Sequence, residues 1–321
     1  MWKAAVRRLL LLIPQLFLLS ILIFILACFM PGDALTGQID VQNVSPERIE
    51  ELRVKWGYYD PWYQKYYRWI TNAVQGDFGR STSFQAPVTT IIGERATNTF
   101  FLSLFTLILM YMIAIPLGII AGRYHGSKTD KVITLYTYTM FASPTVVFAL
   151  LSIFIFGFKL QLFPIGLSVD TGQMPGTFGF YLSRVYHMAL PALTGALIFN
   201  VSVIQYLRSE IVEYKQSDFV TTAKSKGVPS PIIFSRHITR NALIPVGSGL
   251  GYQIAGLLSG SVFIEKIFSY PGMGRLFIDS IQRRDYAVVN ALVLLFSSLT
   301  ILGTLLSDII ISYLDPRIRI K

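Results

Sequence analysis

Three histidines come first among residues that could do chemistry, because imidazole serves both as a general base and as a metal ligand near neutral pH. His125, His187 and His237 stand in separate segments, with no partner at metal-ligand spacing. They read as polar residues at an interface. The single cysteine, Cys28, can close no intramolecular disulfide and leaves the redox compartment open. No G-x-S-x-G nucleophile elbow occurs. The nearest approach to a phosphate-binding loop is Gly122-Arg123-Tyr124-His125-Gly126-Ser127-Lys128-Thr129. It has three residues between the glycines where that loop has four, and Ser127 separates Gly126 from Lys128. It follows an apolar run rather than a strand, so it reads as a short turn. Neither a metal centre nor a catalytic site is expected, and ATP hydrolysis by this chain is not expected.

The elements that carry these residues are built for lipid. Of 321 residues, 53% are hydrophobic and 14% charged, with a mean hydropathy of +0.53. A soluble domain carries about 25% charged residues. Disorder, a collagen and a disulfide-stapled scaffold are excluded. A helix crossing a bilayer needs roughly 20 apolar residues. Six stretches meet that length: Leu9 to Met30, Asn98 to Gly122, Val132 to Gly157, Met188 to Leu207, Ala242 to Ile264 and Ala287 to Tyr313. The expected fold is an all-α integral membrane protein with six transmembrane helices and a long insertion after the first.

Charge orients the spans. With the N-terminus in the cytoplasm, inner segments hold 15 lysines and arginines in 59 residues, and outer segments hold 13 in 119. The positive-inside bias therefore puts both termini in the cytoplasm. The net charge of +10 belongs to that side, which makes a basic face for nucleic acid the weaker account. Lys3, Arg7 and Arg8 before the first apolar run resemble a signal peptide. The run, however, is longer than a signal's 7–15 residues, so it is expected to remain as a span.

Five of the six spans contain no Asp, Glu, Lys, Arg or His, and the sixth holds only Asp308, near its cytoplasmic end. Ion-driven transport usually needs buried titratable groups, so a secondary transporter or channel is the weaker alternative. The fifth span is rich in small residues. Gly247, Gly251, Ala255 and Ser259 recur every four residues, and Gly256 and Gly260 add a second G-x-x-x-G. Such a stripe lets helices approach closely. It either packs within the chain or lines a path beside a second membrane subunit, where backbone walls would suit a cargo of varied side chains. Pro14, Pro116, Pro144, Pro191 and Pro245 each remove a backbone donor, and Pro116 and Pro144 are placed to kink their spans.

The largest inner segment, Arg208 to Asn241, reads as two short capped helices. Ser217 is the expected N-cap of the first, Asp218 complements its positive end, Lys224 and Lys226 its negative end, and Gly227 supplies the left-handed stop. Ser230 is the second N-cap, with Pro231 at the first helical position. Phe219, Val220 and Ala223 share one face, enough to fill a shallow groove. A DNA-binding helix pair is the alternative, but two flanking spans hold this one against the membrane. In the outer insertion, Ser45-Pro46 starts one helix and Gly57 ends it. Asp60-Pro61 starts a second, with Trp62, Tyr66, Trp69 and Ala73 in a stripe. That stripe suits the bilayer surface, the mouth of the molecule, or a bound receptor or peptide.

These stretches are also recognisable. Asp218-Phe-Val-Thr-Thr-Ala223-Lys-Ser-Lys-Gly227, with Arg236-His237 and Arg240-Asn241-Ala242-Leu243-Ile244-Pro245, resembles the EAA loop of ABC importer permeases. It looks most like the oligopeptide/dipeptide (Opp/Dpp-type) branch. Further matching stretches are Pro31-Gly32-Asp33, Tyr67-Arg68-Trp69, Gly76-Asp77-Phe78-Gly79-Arg80-Ser81, Pro87-Val88 and His187-Met-Ala-Leu-Pro191. Others are Glu265 to Leu276 (with Pro271, Gly272 and Gly274), Arg284-Asp285-Tyr286, Asp308 and Tyr313-Leu-Asp315-Pro316-Arg317. The aromatic insertion directly after the first span fits the first, B-type subunit.

The resemblance implies a type I ABC importer permease (MetI-like) fold. Residues 1–30 would carry the first helix, 31–93 the extracellular insertion, 94–313 the core with the coupling loop at 208–241, and 314–321 the tail. It implies a multi-pass protein of the bacterial inner membrane. The chain would pair with a second permease subunit, two cytoplasmic ATPases and an extracellular binding lipoprotein, and would import di- or oligopeptides. It would bind no cofactor, with ATP and magnesium on the partners. The ATPase contact would be made by Asp218, Phe219, Ala223, Gly227 and Arg236. Thr221, Thr222 and Ser225 depart from common family choices and would reflect a matched ATPase. Nickel or glutathione import shares the same motifs, and a signalling receptor is a further, weaker alternative.

Overall fold

The computed structural model describes residues 2–29 and 59–314, with isolated positions 47, 50, 51 and 54 between them. Pro31-Gly32-Asp33, the Ser45-Pro46 helix with its Gly57 stop, and the tail after Leu314 lie outside the described residues, as do the side chains of Cys28, Ala255 and Asp308. Among the described residues all regular elements are helical, and a single isolated bridge joins Arg80 to Pro87.

Helix α1 (Trp2–Phe29) includes a shorter apolar stretch, Ile13–Leu26. Helix α2 (Trp62–Val74) starts one residue later than expected, with Pro61 as its N-cap. Its aromatic stripe docks on α1. The Tyr66 ring lies 5.5 Å and the Trp69 ring 5.8 Å from that of Phe24, and Tyr66 Oη shares a 2.7 Å hydrogen bond with Ser20 Oγ. Trp62, at the far end of the expected stripe, stays exposed.

Helix α3 (Val88–Arg123) and helix α6 (Phe178–Tyr214) form the central pair. They run parallel, since Thr106 meets Gly195 while Gly118 and Gly122 meet Leu207 and Ile211. Those glycines are notches. A Cβ on Gly122 would stand 2.7 Å from that of Ile211, and one on Gly118 would stand 3.0 Å from that of Leu207. Pro116 and Pro191 sit inside unbroken helices.

Two expected spans are not single helices. The third divides into α4 (Lys128–Ala142) and α5 (Thr145–Ser152), which continues as a π-helical turn, Ile153–Lys159, and the two arms meet at 103°. Pro144 explains the break, because proline forces the preceding residue out of the helical region. Ser143 is extended, at φ −79° and ψ 124°. The fifth divides at 49°. Helix α7 (Asp218–Ser225) and helix α8 (Ser230–Ile232) come first, then a π-helical turn over Ile233–Thr239 and helix α9 (Arg240–Ala255). A 3₁₀ turn, Gly256–Leu258, leads past Gly260 at φ +62° into α10 (Val262–Ile267). Helices α11 (Met273–Gln282) and α12 (Tyr286–Leu314) complete the chain, with α12 packed against α9 and α1. Helices α3 and α6, and residues 286–307 of α12, are each long and apolar enough to cross a bilayer, and so is each bent pair taken as one span.

Candidate functional site

Helices α7 and α8 form an elbow at the end of α3 that contains Gly122. Helix α7 has a buried and an open side. Val220 and Ala223 pack with Leu207 and Ile211 of α6, Ile233 and Ile238 of the π turn, and Ala242 and Val246 of α9. Asp218, Phe219, Lys224, Gly227 and Arg236 are exposed. Phe219 thus leaves the face it was expected to share with Val220 and Ala223, and its ring lies 5.9 Å from Tyr214. Ala223 faces this chain's own core.

The turn between the helices is closed by the backbone. Val228 N donates to Ala223 O (3.2 Å) and Gly227 N to Lys224 O (2.9 Å), which is the Schellman pairing. Gly227 sits at φ +74° with no atom within 4 Å of a would-be Cβ. The demand for glycine is therefore conformational rather than spatial. Two capping expectations are corrected. Ser217 holds the N-cap position, but its hydroxyl donates back to Tyr214 O at 2.6 Å, and it makes no side-chain cap. The second N-cap is Pro229, not Ser230, because the helix begins one residue earlier and Pro231 falls in its first turn.

The elbow is tied to both central helices. Lys215 Nζ donates to Gly122 O (2.7 Å) and Arg123 O (2.6 Å), neutralising the last carbonyls of α3. Burial, and then the neighbouring Arg123 charge, push the Lys215 amine below its ordinary pKa. The Arg123 guanidinium lies 5.0 Å from the Phe234 ring centroid. Nearby, Arg208 grips Asp130 through two bonds, at 2.6 and 2.9 Å, and Asp130 also accepts from Gly126 N at 2.8 Å. The stretch that approached a phosphate loop is thus a capped turn whose Gly126 N–H is already engaged. His125 joins this group, 3.2 Å from Asp130.

At the opposite end of α3, Glu265 is fully buried. Its carboxylate accepts from Thr99 Oγ1 (2.8 Å), Gly274 N (2.7 Å) and Arg275 N (3.1 Å), while Met273 N donates to Thr99 Oγ1 (2.7 Å). Thr99 and Glu265 together satisfy the first free N–H groups of α11, which a helix cannot pair internally. Gly260, Gly272 and Gly274 close around the carboxylate. Pro271 O accepts from Asn98 Nδ2 at 2.9 Å. Two further recognised stretches meet nearby, where Ser81 donates to the buried Asp285 and Ser83 N reaches the same carboxylate at 3.1 Å.

Between the two ends lies a chamber of about 430 Å³, bounded by α3, α6, α9 and α10. Ser103, Thr106, Ser202, Gln253 and Ser261 contribute polar groups, and among the described residues no charged side chain lines it.

The small-residue stripe does not form one face. Gly251 meets α12, where a Cβ would lie 2.5 Å from the Ser307 backbone. Gly247 borders a separate apolar groove with Tyr111 and Pro116. Ser259 falls beyond the helix, because α9 ends at Ala255 and the chain turns. Sequence reasoning missed Thr99 and the Asp130–Arg208 pair. It also missed the contact in which Ser183 Oγ donates to Asp170 Oδ2 at 2.7 Å beside His187. Among the described residues no group of three or more His, Cys, Asp or Glu side chains gathers as metal ligands. His237 contributes a backbone carbonyl to Asn241, at 2.7 Å.

The described features are a helix elbow fastened on one side, a buried hydrogen-bond network around Glu265 and a chamber with no charged lining among the described residues. Residues 114–320 match the family described as binding-protein-dependent transport system inner membrane component, and residues 1–103 match the N-terminal portion of such components. The chain belongs to this family. It is accordingly an ABC importer permease, a multi-pass component of the inner membrane. It is 36% identical over 315 residues to the oligopeptide transport system permease protein AppB of Bacillus subtilis (strain 168), covering 98% of both chains. Over 321 residues, all of both chains, it is 32% identical to the glutathione transport system permease protein GsiC of Escherichia coli (strain K12). Identity to GsiC of Shigella flexneri serotype 5b is 33% over the same length.

Proposed function

We propose that this permease imports di- or oligopeptides delivered by an external binding protein, and that α7 is the handle through which partner ATPases move it. In this reading the chain crosses the membrane six times, with both termini and the elbow in the cytoplasm and residues 31–93 on the outer side. It pairs with a second permease subunit. Two ATPases hold the ATP and magnesium, and this chain hydrolyses nothing.

The observation that carries the reading is the two-sided α7. Val220 and Ala223 fasten it to α6 and α9, while Asp218, Phe219 and Lys224 are left open, as is Arg236 on the π turn that follows. A helix held on one side and bare on the other transmits an outside push to the spans it is fastened to. Ala223 belongs on this account to the fastening, and Asp218, Phe219 and Arg236 to the ATPase contact.

The peptide cargo is carried over from the oligopeptide permease relative. The glutathione relatives match the chain end to end. Glutathione is itself a short peptide, so competition between it and alanine peptides for uptake separates the two cargoes. The coupling role is tested with Gly227→Val in the assembled transporter. A β-branched residue at positive φ is strongly disfavoured, so ATP-driven uptake should fall at least about tenfold, the effect of roughly 1.4 kcal/mol. Wild-type uptake by this variant would remove α7 from the coupling path.

A further inference from the structure

The chamber between α3, α6, α9 and α10 has the chemistry of a site that holds a peptide by its main chain. Its volume of about 430 Å³ lies within the range of small-ligand pockets, roughly 300–1,000 Å³. Leu102, Met110, Phe199 and Ile264 make its walls largely apolar. Its polar groups are neutral and come from every side: Ser103 and Thr106 on α3, Ser202 on α6, Gln253 on α9 and Ser261 before α10. Gly195, Gly256 and Gly260 add wall without side chains. A passing lysine or glutamate meets no fixed charge, so the site gives neither sign an advantage over the other.

The hydroxyls retain capacity. Thr106 Oγ1 donates to Leu102 O at 2.8 Å and keeps its lone pairs. Ser261 Oγ accepts from Ile264 N at 3.4 Å and keeps its hydrogen. Gln253 has the clearest demand. Its side chain bonds to the Tyr111 hydroxyl of α3, but its Oε1 is buried without a hydrogen-bond partner. An unpaired buried acceptor is costly. The terminal torsion of glutamine is soft, so a small rotation offers this oxygen to the chamber. What it lacks is a donor, and the donor common to peptides of any sequence is the main-chain N–H.

We infer that the chamber is a waypoint for peptide, where Gln253 accepts a main-chain N–H and the neutral lining leaves the cargo's side chains unread. The inference rests on the peptide-importer reading and adds to it how the cargo is recognised. The competing occupant is a side chain of a second permease subunit.

The test uses the assembled transporter in cells without other peptide uptake. Competing tripeptides are Ala-Ala-Ala, Ala-Lys-Ala and Ala-Glu-Ala. The wild type should take up Ala-Lys-Ala and Ala-Glu-Ala within about twofold of each other. Ser202 is exposed on the chamber wall, so Ser202→Asp and Ser202→Lys can place a charge there without burying it in the core. Ser202→Asp should raise the lysine-to-glutamate uptake ratio at least about fivefold, and Ser202→Lys should lower it as much, because like charges are rejected and opposite ones retained. Gln253→Leu should depress all three peptides equally, with the second permease still copurifying. Unchanged ratios in both Ser202 variants at normal uptake would overturn the inference and leave the importer reading intact. Loss of the second permease from Gln253→Leu would also overturn it, by assigning the chamber to a subunit interface. A wild-type complex that imports none of the peptides would overturn the peptide reading itself, and this inference with it.

Discussion

Glu265 brings a carboxyl group into a site with no exposed surface, where a polar group left unpaired would be costly. The cost is offset because each of its partners needs it in return. Gly274 N and Arg275 N begin α11 and have no acceptor of their own, and the Thr99 hydroxyl gives its hydrogen to Glu265 while accepting from Met273 N. Removing one member strands the others. Glu265→Ala leaves two N–H groups and a hydroxyl unpaired, at about 1–3 kcal/mol each before relaxation. We expect a clear loss of thermal stability in detergent, read as the temperature at which the monodisperse peak disappears. Glu265→Gln retains an acceptor and should lose less. Thr99→Val should be destabilising too. Because the two residues serve one network, the double variant Glu265→Ala/Thr99→Val should lose less than the two single losses added together. Additive losses would show that the ring of bonds does not act as a unit. None of this was legible beforehand. Glu265 and Thr99 lie 166 positions apart, and the sequence marks Glu265 only as part of a recognised stretch. Gly227 was legible, because a left-handed stop is a local property of Lys-Gly-Val-Pro.

Close helix approach makes two different demands on glycine among these elements. At Gly251 a Cβ would meet the Ser307 backbone at 2.5 Å, and backbone cannot turn aside. At Gly118 the nearest atom is Leu207 Cβ at 3.0 Å, a looser contact that a helix shift of a few tenths of an ångström relieves once the Leu207 Cγ and Cδ atoms turn aside. Both glycines are helical, so neither substitution is strained in φ. We therefore expect Gly251→Ala to separate α9 from α12 and to cost at least the 1–3 kcal/mol or so of an overpacked core. Gly118→Ala should come closer to neutral, since alanine's helix propensity returns up to about 1 kcal/mol. Thermal unfolding of the two variants in the same detergent checks the order, and equal losses would refute the distinction. The small-residue period predicted close packing for Gly251 but not its partner. It also predicted too long a face, because nothing in the spacing signalled that α9 would stop at Ala255. The break at Ser143-Pro144 was foreshadowed by its proline. Its extent was not, since proline fixes a local torsion while packing of the second arm sets the 103° angle.

For the whole molecule, the question is where work enters. The parallel pair α3 and α6 spans the distance between the elbow and the end that carries Glu265, and the chamber lies against it. Its seam is notched by Gly118, Gly122 and Gly195 and locked at one end by Lys215 on the α3 carbonyls. In the proposed reading a displacement of α7 reaches α6 through Leu207 and Ile211 and α9 through Ala242 and Val246, the residues that Val220 and Ala223 pack against. The chamber sits between those two helices, so moving one against the other changes its shape. In the proposed reading the chain carries a route for force, and its source lies in the partner ATPases. The turn nearest to a phosphate loop spends its Gly126 N–H on Asp130, and Asp308 stands alone among Asp, Glu, Lys, Arg and His in the six apolar stretches of the sequence. The purified chain alone, in vesicles given a proton or sodium gradient and external tripeptide, should accumulate no peptide and release no phosphate from ATP. With the second permease, both ATPases and the binding protein added, ATP should drive accumulation. In Gly227→Val the ATPases should continue to turn over while accumulation fails, because the altered turn no longer passes their motion to α6 and α9. Uphill uptake by the isolated chain would place the motor inside this polypeptide and undo the assignment of α7 as a handle.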